Sequence, residues 1–235
     1  VGMCADAQTR WREQRTGAGG AAPTGAVRQP GTGAADTVAP GLPRARWAWA
    51  AAGLLAACTV LARRDAAVPV EVAVLEALNG LPGWLDPLVS GPMALGTLVG
   101  AVLVAGVVAV ATRRWAAPAA VVLVGLACRV LVPGLKSWVA RPRPVFVVED
   151  VVVRAPVGDH AFPSAHATYA TAIALVLVWW YPRTALPVLA VAAAIALGRT
   201  YLGVHLPLDL VGGAALGFLV AWGATWTVGR IASRP

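Results

Sequence analysis

The stretch Leu206–Val228, LPLDLVGGAALGFLVAWGATWTV, decides the fold. It is apolar over more than the roughly 20 residues an α-helix needs to cross a bilayer. Its one charge, Asp209, stands at its start. In hydrocarbon only a helix or a closed barrel satisfies every backbone polar group internally, and a run this long reads as a helix. Five further runs behave alike: Trp47–Ala62, Leu88–Thr112, Trp115–Leu135, Ala165–Tyr181 and the shorter Thr184–Leu197. Together they predict an all-α fold, a six-helix transmembrane bundle. Val68–Pro87 carries Glu71, Glu76 and Asp86 among its apolar residues and is expected as an interfacial helix or loop.

Composition agrees. Of 235 residues 58% are hydrophobic and 13% charged, which suits one domain with lipid as its solvent. The net charge of +8 is not gathered into a stripe, so no nucleic-acid partner is expected. Cys4, Cys58 and Cys128 form no CxxC pair and give no disulfide framework. Residues 1–45 are rich in Gly, Ala, Thr, Pro and Arg and are expected as a disordered cytoplasmic tail ahead of a six-span domain at 46–230. The first apolar run lies too deep for a signal peptide and is expected to stay as an anchor.

Arginine bias orients the bundle. A cytoplasmic N-terminus places the tail arginines, Arg113-Arg114, Arg183, Arg230 and Arg234 inside, and only Arg63-Arg64 dissent. Trp47, Trp115, Trp138, Trp179, Trp222 and Trp226 fall near span boundaries, as an aromatic belt would. In this topology both termini are cytoplasmic.

The rare polar residues then gather on one face, the outer one. Lys136, the only lysine, closes the third span, Ser164 and His166 open the fourth, Arg199 follows the fifth, and His205 precedes the sixth. They read Lys136-x6-Arg143-Pro144, Pro163-Ser164-Ala165-His166 and Arg199-x5-His205-x3-Asp209. This resembles the tripartite signature of the type 2 phosphatidate phosphatase superfamily, which also holds vanadium-dependent haloperoxidases, and the resemblance covers about residues 47–228. Two positions depart from it: Ala165 stands where glycine is common, and Gly198 where a serine usually precedes the arginine.

Phosphoryl transfer needs cations or amides for the equatorial oxygens, an in-line nucleophile and an acid for the leaving oxygen. Arg143 and Arg199 are forks suited to phosphate, Lys136 adds a point charge, and Ser164 has N-cap chemistry that would aim the Ala165 and His166 amides at an anion. His205 and Asp209 are one helical turn apart, so the carboxylate can hold one ring nitrogen as N–H and leave the other to attack phosphorus. Near Pro207, Asp209 also suits a plain dipole partner of the helix, and both roles are compatible. His166 would protonate the leaving alkoxide and then activate water. His160 matches no motif position and reads as a loop residue. Arg129, inside the third span, either lines the site from below or binds a polar group between helices. No metal or other cofactor is expected from the spacing of the acids and histidines, and the resemblance implies metal-independent hydrolysis.

The expected activity is hydrolysis of a lipid phosphate or diphosphate, of polyprenyl diphosphate or phosphatidate type, through phosphohistidine on His205. An outward site favours polyprenyl diphosphate. The valine-rich loop Val145–Val153 is expected to dip into the interface beside the entrance. A phosphotransferase on the same site, vanadate-dependent peroxidase chemistry and a non-catalytic phosphate-binding membrane protein are the competing readings.

Overall fold

A computed structural model describes residue 41 and residues 44–64 and 67–233. The expected tail therefore lies outside the described residues, apart from positions 41, 44 and 45. Eight α-helices follow: α1 Ala45–Ala62, α2 Pro69–Asn79, α3 Asp86–Ser90, α4 Leu98–Thr112, α5 Ala116–Val139, α6 Ala165–Trp180, α7 Ala185–Tyr201 and α8 Pro207–Ala232. Short 3-10 turns join some of them, and no strand occurs among the described residues.

Five of the six expected spans appear as single helices, with shifted ends. Helices α1, α5 and α8, and α7 taken together with the turn Pro182–Thr184 that precedes it, are long and apolar enough to cross a membrane. Helix α6 has 16 residues and falls short of that length. The second span, Leu88–Thr112, is not one helix: Gly83–Gly96 and α4 meet at an angle of 74°. The cause is local. Pro92 lacks the N–H a continuing helix would use. Thr97 leaves the helical region (φ −137°, ψ 174°) and caps α4 by accepting from Gly100 N. Val68–Pro87, expected as a helix or loop, supplies α2 and the turn Gly83–Leu85.

Helix α5 runs past its expected end to Val139 and so includes Lys136. It stops at Ala140, in the left-handed region at φ 53°, because Pro142 and Pro144 cannot continue a helix. Arg141 and Arg143 follow at once, at the head of the irregular segment that leads to α6. Beside it, Arg63 stacks on the Trp138 ring at 4.8 Å, which gives that dissenting arginine a partner at the same end of the bundle.

The main core is built largely of Ala and Val, with Tyr169, Trp179 and Trp180 buried among them. Small residues let the backbones of α6 and α8 touch. A Cβ at Gly213 would stand 2.7 Å from Ser164 O, and one at Gly217 2.6 Å from Thr168 O. This close approach lets Ser164 N donate to Asp209 O at 3.0 Å. It fixes the first turn of α6 against the first turn of α8, where the candidate site lies.

Candidate active site

Pro207 occupies the first turn of α8, where its missing N–H costs nothing, and Asp209 sits two residues later. The Asp209 carboxylate, fully buried, is saturated. Its Oδ2 accepts from Leu206 N at 2.9 Å and faces His205 Nδ1 at 3.3 Å, while Oδ1 accepts from Arg141 Nη1 at 2.8 Å. Asp209 thus sits both in the first turn of α8, where a dipole partner would stand, and against the His205 ring.

His205 Nε2 lies 3.0 Å from Arg143 Nη1. A guanidinium only donates, so Nε2 is the acceptor and Nδ1 carries the proton toward Asp209. Burial pushes the His205 pKa down from 6.5 to about 3, the Arg143 and Lys136 charges add to that, and Asp209 opposes it. The ring is neutral, with a free electron pair on the nitrogen that faces the arginine. Arg143 also donates to Val204 O at 2.8 Å and to Gly158 O at 3.2 Å, which holds its fork in place.

The remaining predicted residues converge here as well. Arg199, Lys136 and Arg143 all lie close enough to His166 to act on its charge, and Arg199 also acts on Lys136. Arg199 falls within α7 and not just beyond it, and its Nε is buried without a hydrogen-bond partner among the described residues. Ser164 occupies the N-cap position of α6, but its side chain makes no cap bond. Its Oγ is likewise buried and unpartnered, which corrects the capping expectation. The amides of Ala165 and His166 belong to that first turn, where N–H groups have no intrahelical acceptor.

Lys136 is not a free point charge. Its ammonium donates to the carbonyls of His160 and Ala161 at 2.7 and 2.8 Å and so clamps the loop leading to Ser164. His160 contributes that carbonyl to the site. Arg129 is exposed on α5 and makes no hydrogen bond or ion pair with the described residues. At Gly198 a Cβ would stand 2.7 Å from Met93 Cε and 2.8 Å from Val89 Cγ1, so the bent second span fills the place of a serine side chain.

Two members of the cluster went unread in the sequence. Arg141, 3% exposed, bridges Asp209 to Glu71 of α2. The signal for Arg141 was its place in Arg141-Pro142-Arg143-Pro144, inside the gap of the first motif. Glu71 gave only the appearance of a surface acid. Among the described residues no three His, Cys, Asp or Glu side chains converge as metal ligands. Among the described residues the site gathers a neutral imidazole, a second imidazole, three cations with no carboxylate in ion-pair contact and two unpartnered donors. That set can bind an oxyanion and pass a group to nitrogen.

The family model that matches, over residues 113–232, is described as the PAP2 superfamily. A Mycobacterium tuberculosis protein named decaprenylphosphoryl-5-phosphoribose phosphatase is 38% identical over 160 residues, covering 65% of this chain and 85% of its own. Among solved structures, the PAP2-type phosphatidylglycerolphosphate phosphatase of Bacillus subtilis superposes with a TM-score of 0.61. It is 24% identical and matches over 77% of this chain and 96% of its own. LpxE of Aquifex aeolicus gives a TM-score of 0.57 at 27% identity, over 70% and 95%.

Proposed function

This chain belongs to the PAP2 superfamily, in its membrane phosphatase branch, and we propose that it hydrolyses a polyprenyl-linked phosphate through a phosphohistidine on His205. The observation that carries the reading is the neutral His205 ring, with Nδ1–H on Asp209 and Nε2 turned to Arg143 beside the unpartnered Arg199 Nε and Ser164 Oγ.

In the first step the Nε2 electron pair attacks the terminal phosphorus in line, a P–N bond forms and the bond to the oxygen of the leaving group, borne by the lipid-linked phosphate or sugar, breaks. His166 gives that oxygen a proton. Arg143, Arg199, Ser164 and the amides of Ala165 and His166 hold the equatorial oxygens. In the second step water attacks phosphorus, His166 takes its proton, and the P–N bond breaks to release inorganic phosphate. Asp209 keeps the ring oriented and balances the positive charge it gains.

The lipid tail has a place beside this centre. An apolar cavity of about 240 Å³ is lined by Leu95, Ala170, Ile173, Val188, Ala192 and Ile195. Ala170 is one turn from His166 on α6, and Ile195 one turn from Arg199 on α7, so both helices turn the same faces to headgroup and tail. The name of the mycobacterial relative supports a polyprenyl chain there. The arginine distribution supports cytoplasmic termini and a site on the outer face, and composition supports a tail over residues 1–45.

The test is phosphate release by purified protein in detergent, with chelator present. The panel is a polyprenyl diphosphate, a polyprenylphosphoryl sugar phosphate, phosphatidate and phosphatidylglycerol phosphate, with His205→Ala as control. Polyprenyl substrates should lead and the control should be silent. Equal release by both proteins removes the phosphatase, and a preference for the diacyl lipids removes the polyprenyl assignment. For orientation, an impermeant maleimide should label Val147→Cys in intact cells, and protection until lysis would reverse the topology.

A further inference from the structure

Helix α2 lies outside the three motifs, yet it is fastened to the catalytic end at both of its ends. At its C-terminus, Asn79 Nδ2 donates to Val152 O and Tyr201 O, both at 2.8 Å, and its Oδ1 accepts from Val152 N at 2.9 Å. At its N-terminus, Glu71 receives Arg141 Nη2 on Oε2 at 2.7 Å and Arg141 Nη1 on Oε1 at 3.3 Å. Glu71 Oε1 also accepts from Leu208 N at 3.0 Å, in the first turn of α8, and Oε2 from Val68 N at 3.3 Å. Glu71 and Arg141 are 5% and 3% exposed, so neither is available to a phosphate.

We propose that Glu71 is a positioning residue which, through Arg141, holds Asp209 against His205 and fixes the ring nitrogen that attacks. The inference rests on the phosphohistidine reading above. Charge explains why the acid is needed. Arg141 alone would neutralise Asp209 and draw its carboxylate away from the ring. With Glu71 the chain of three groups keeps one net negative charge (−1 for Glu71, +1 for Arg141, −1 for Asp209). That charge faces the imidazole, which becomes positive as Nε2 bonds to phosphorus. The gain belongs to the transition state, so its loss appears in kcat and not in KM.

A buried ion triad can also serve merely as a brace, and the experiment separates the two. Glu71→Gln keeps the shape and removes the charge. On the lipid phosphate that the wild type hydrolyses, kcat should fall roughly 10- to 100-fold, the scale of coupling between contacting residues, with KM within about three-fold. In an Asp209→Asn background the same substitution should change kcat by less than about two-fold, because its route to the ring is already cut. Asn79→Ser, which frees the other end of α2, should leave kcat near wild type. Nitrogen-15 spectra of the histidine rings, with the His205 signals assigned by their loss in His205→Asn, should show Nδ1–H in the wild type and a tautomer mixture in Glu71→Gln.

The proposal is overturned by an unchanged kcat in Glu71→Gln, by an equal loss in both backgrounds, or by an unaltered tautomer. If Glu71→Gln does not fold, Glu71→Asp, which withdraws the carboxylate by one methylene, is judged by the same criteria. Phosphate release that does not depend on His205 would instead sink the phosphatase reading, and the spectra would still decide the positioning.

Discussion

Asp209→Asn tests the core of the mechanism. The carboxylate accepts three donors: Arg141 Nη1 at 2.8 Å, Leu206 N at 2.9 Å and the His205 ring at 3.3 Å. Asparagine has one acceptor oxygen and one NH2. Kept on Arg141, the oxygen leaves the NH2 facing Leu206 N–H and His205 Nδ1–H. The ring relieves its part of that clash by moving its proton to Nε2, which places N–H against Arg143 Nη1 and removes the attacking electron pair. The equivalent substitution in Ser-His-Asp triads lowers kcat by about 10⁴-fold, and a loss of about 10³- to 10⁴-fold is expected here. Each tenfold is about 1.4 kcal/mol of barrier. One buried donor left unpaired costs about 1–3 kcal/mol of stability, so the protein should remain folded but melt earlier. The assay is phosphate release in detergent beside a thermal melt, with KM near wild type. A folded variant whose kcat stays within tenfold of wild type would falsify the tautomer argument.

Three further outcomes are expected. Because the native His205 pKa lies near 3 and an unfolded histidine titrates near 6.5, the unfolded chain binds more protons between those values, so stability falls as pH drops below 6.5. Melting temperature in detergent should decline over that window, less steeply in His205→Asn, and equal slopes would show that the ring is not held neutral. Gly217→Val drives a Cβ to within 2.6 Å of Thr168 O and should cost about 1–3 kcal/mol together with activity, whereas Gly223→Val, in open space, should cost neither. If both melt alike, the close contact of α6 and α8 is not what orders the site. Lys136→Met loses both carbonyl bonds of the clamp, so hydrogen exchange across residues 154–163 should quicken and KM rise more than kcat falls. Unchanged exchange would mean that the lysine does not secure this loop.

Much of the fold was legible because lipid leaves so few choices. A run such as Leu206–Val228 has to be a helix, and Lys136, His166, Arg199 and His205 at successive run ends had to meet. The bend at Thr97 was hidden because hydropathy averages over Gly91-Pro92 and Gly96-Thr97, although those residues carry the break. Glu71 and Arg141 escaped for a different reason. Their partners are 70 and 68 residues apart in the chain, and a glutamate in a mixed apolar stretch looks the same in sequence whether it meets water or a buried arginine. Ser164 has cap chemistry by type, but only the packing of α6 on α8 decides that its hydroxyl goes uncapped.

The contact between Arg143 and His205 has a last consequence. In the phosphohistidine mechanism proposed above, the attacking nitrogen is masked at rest, with an N–H 3.0 Å away and a ring only 2% exposed. Stray electrophiles do not reach that ring. The mask lifts only for a visitor that offers the guanidinium a better acceptor than an uncharged ring, and an oxyanion is such a visitor. The same arginine that shelters the idle enzyme therefore arms it, and the trigger is the arrival of the group to be transferred.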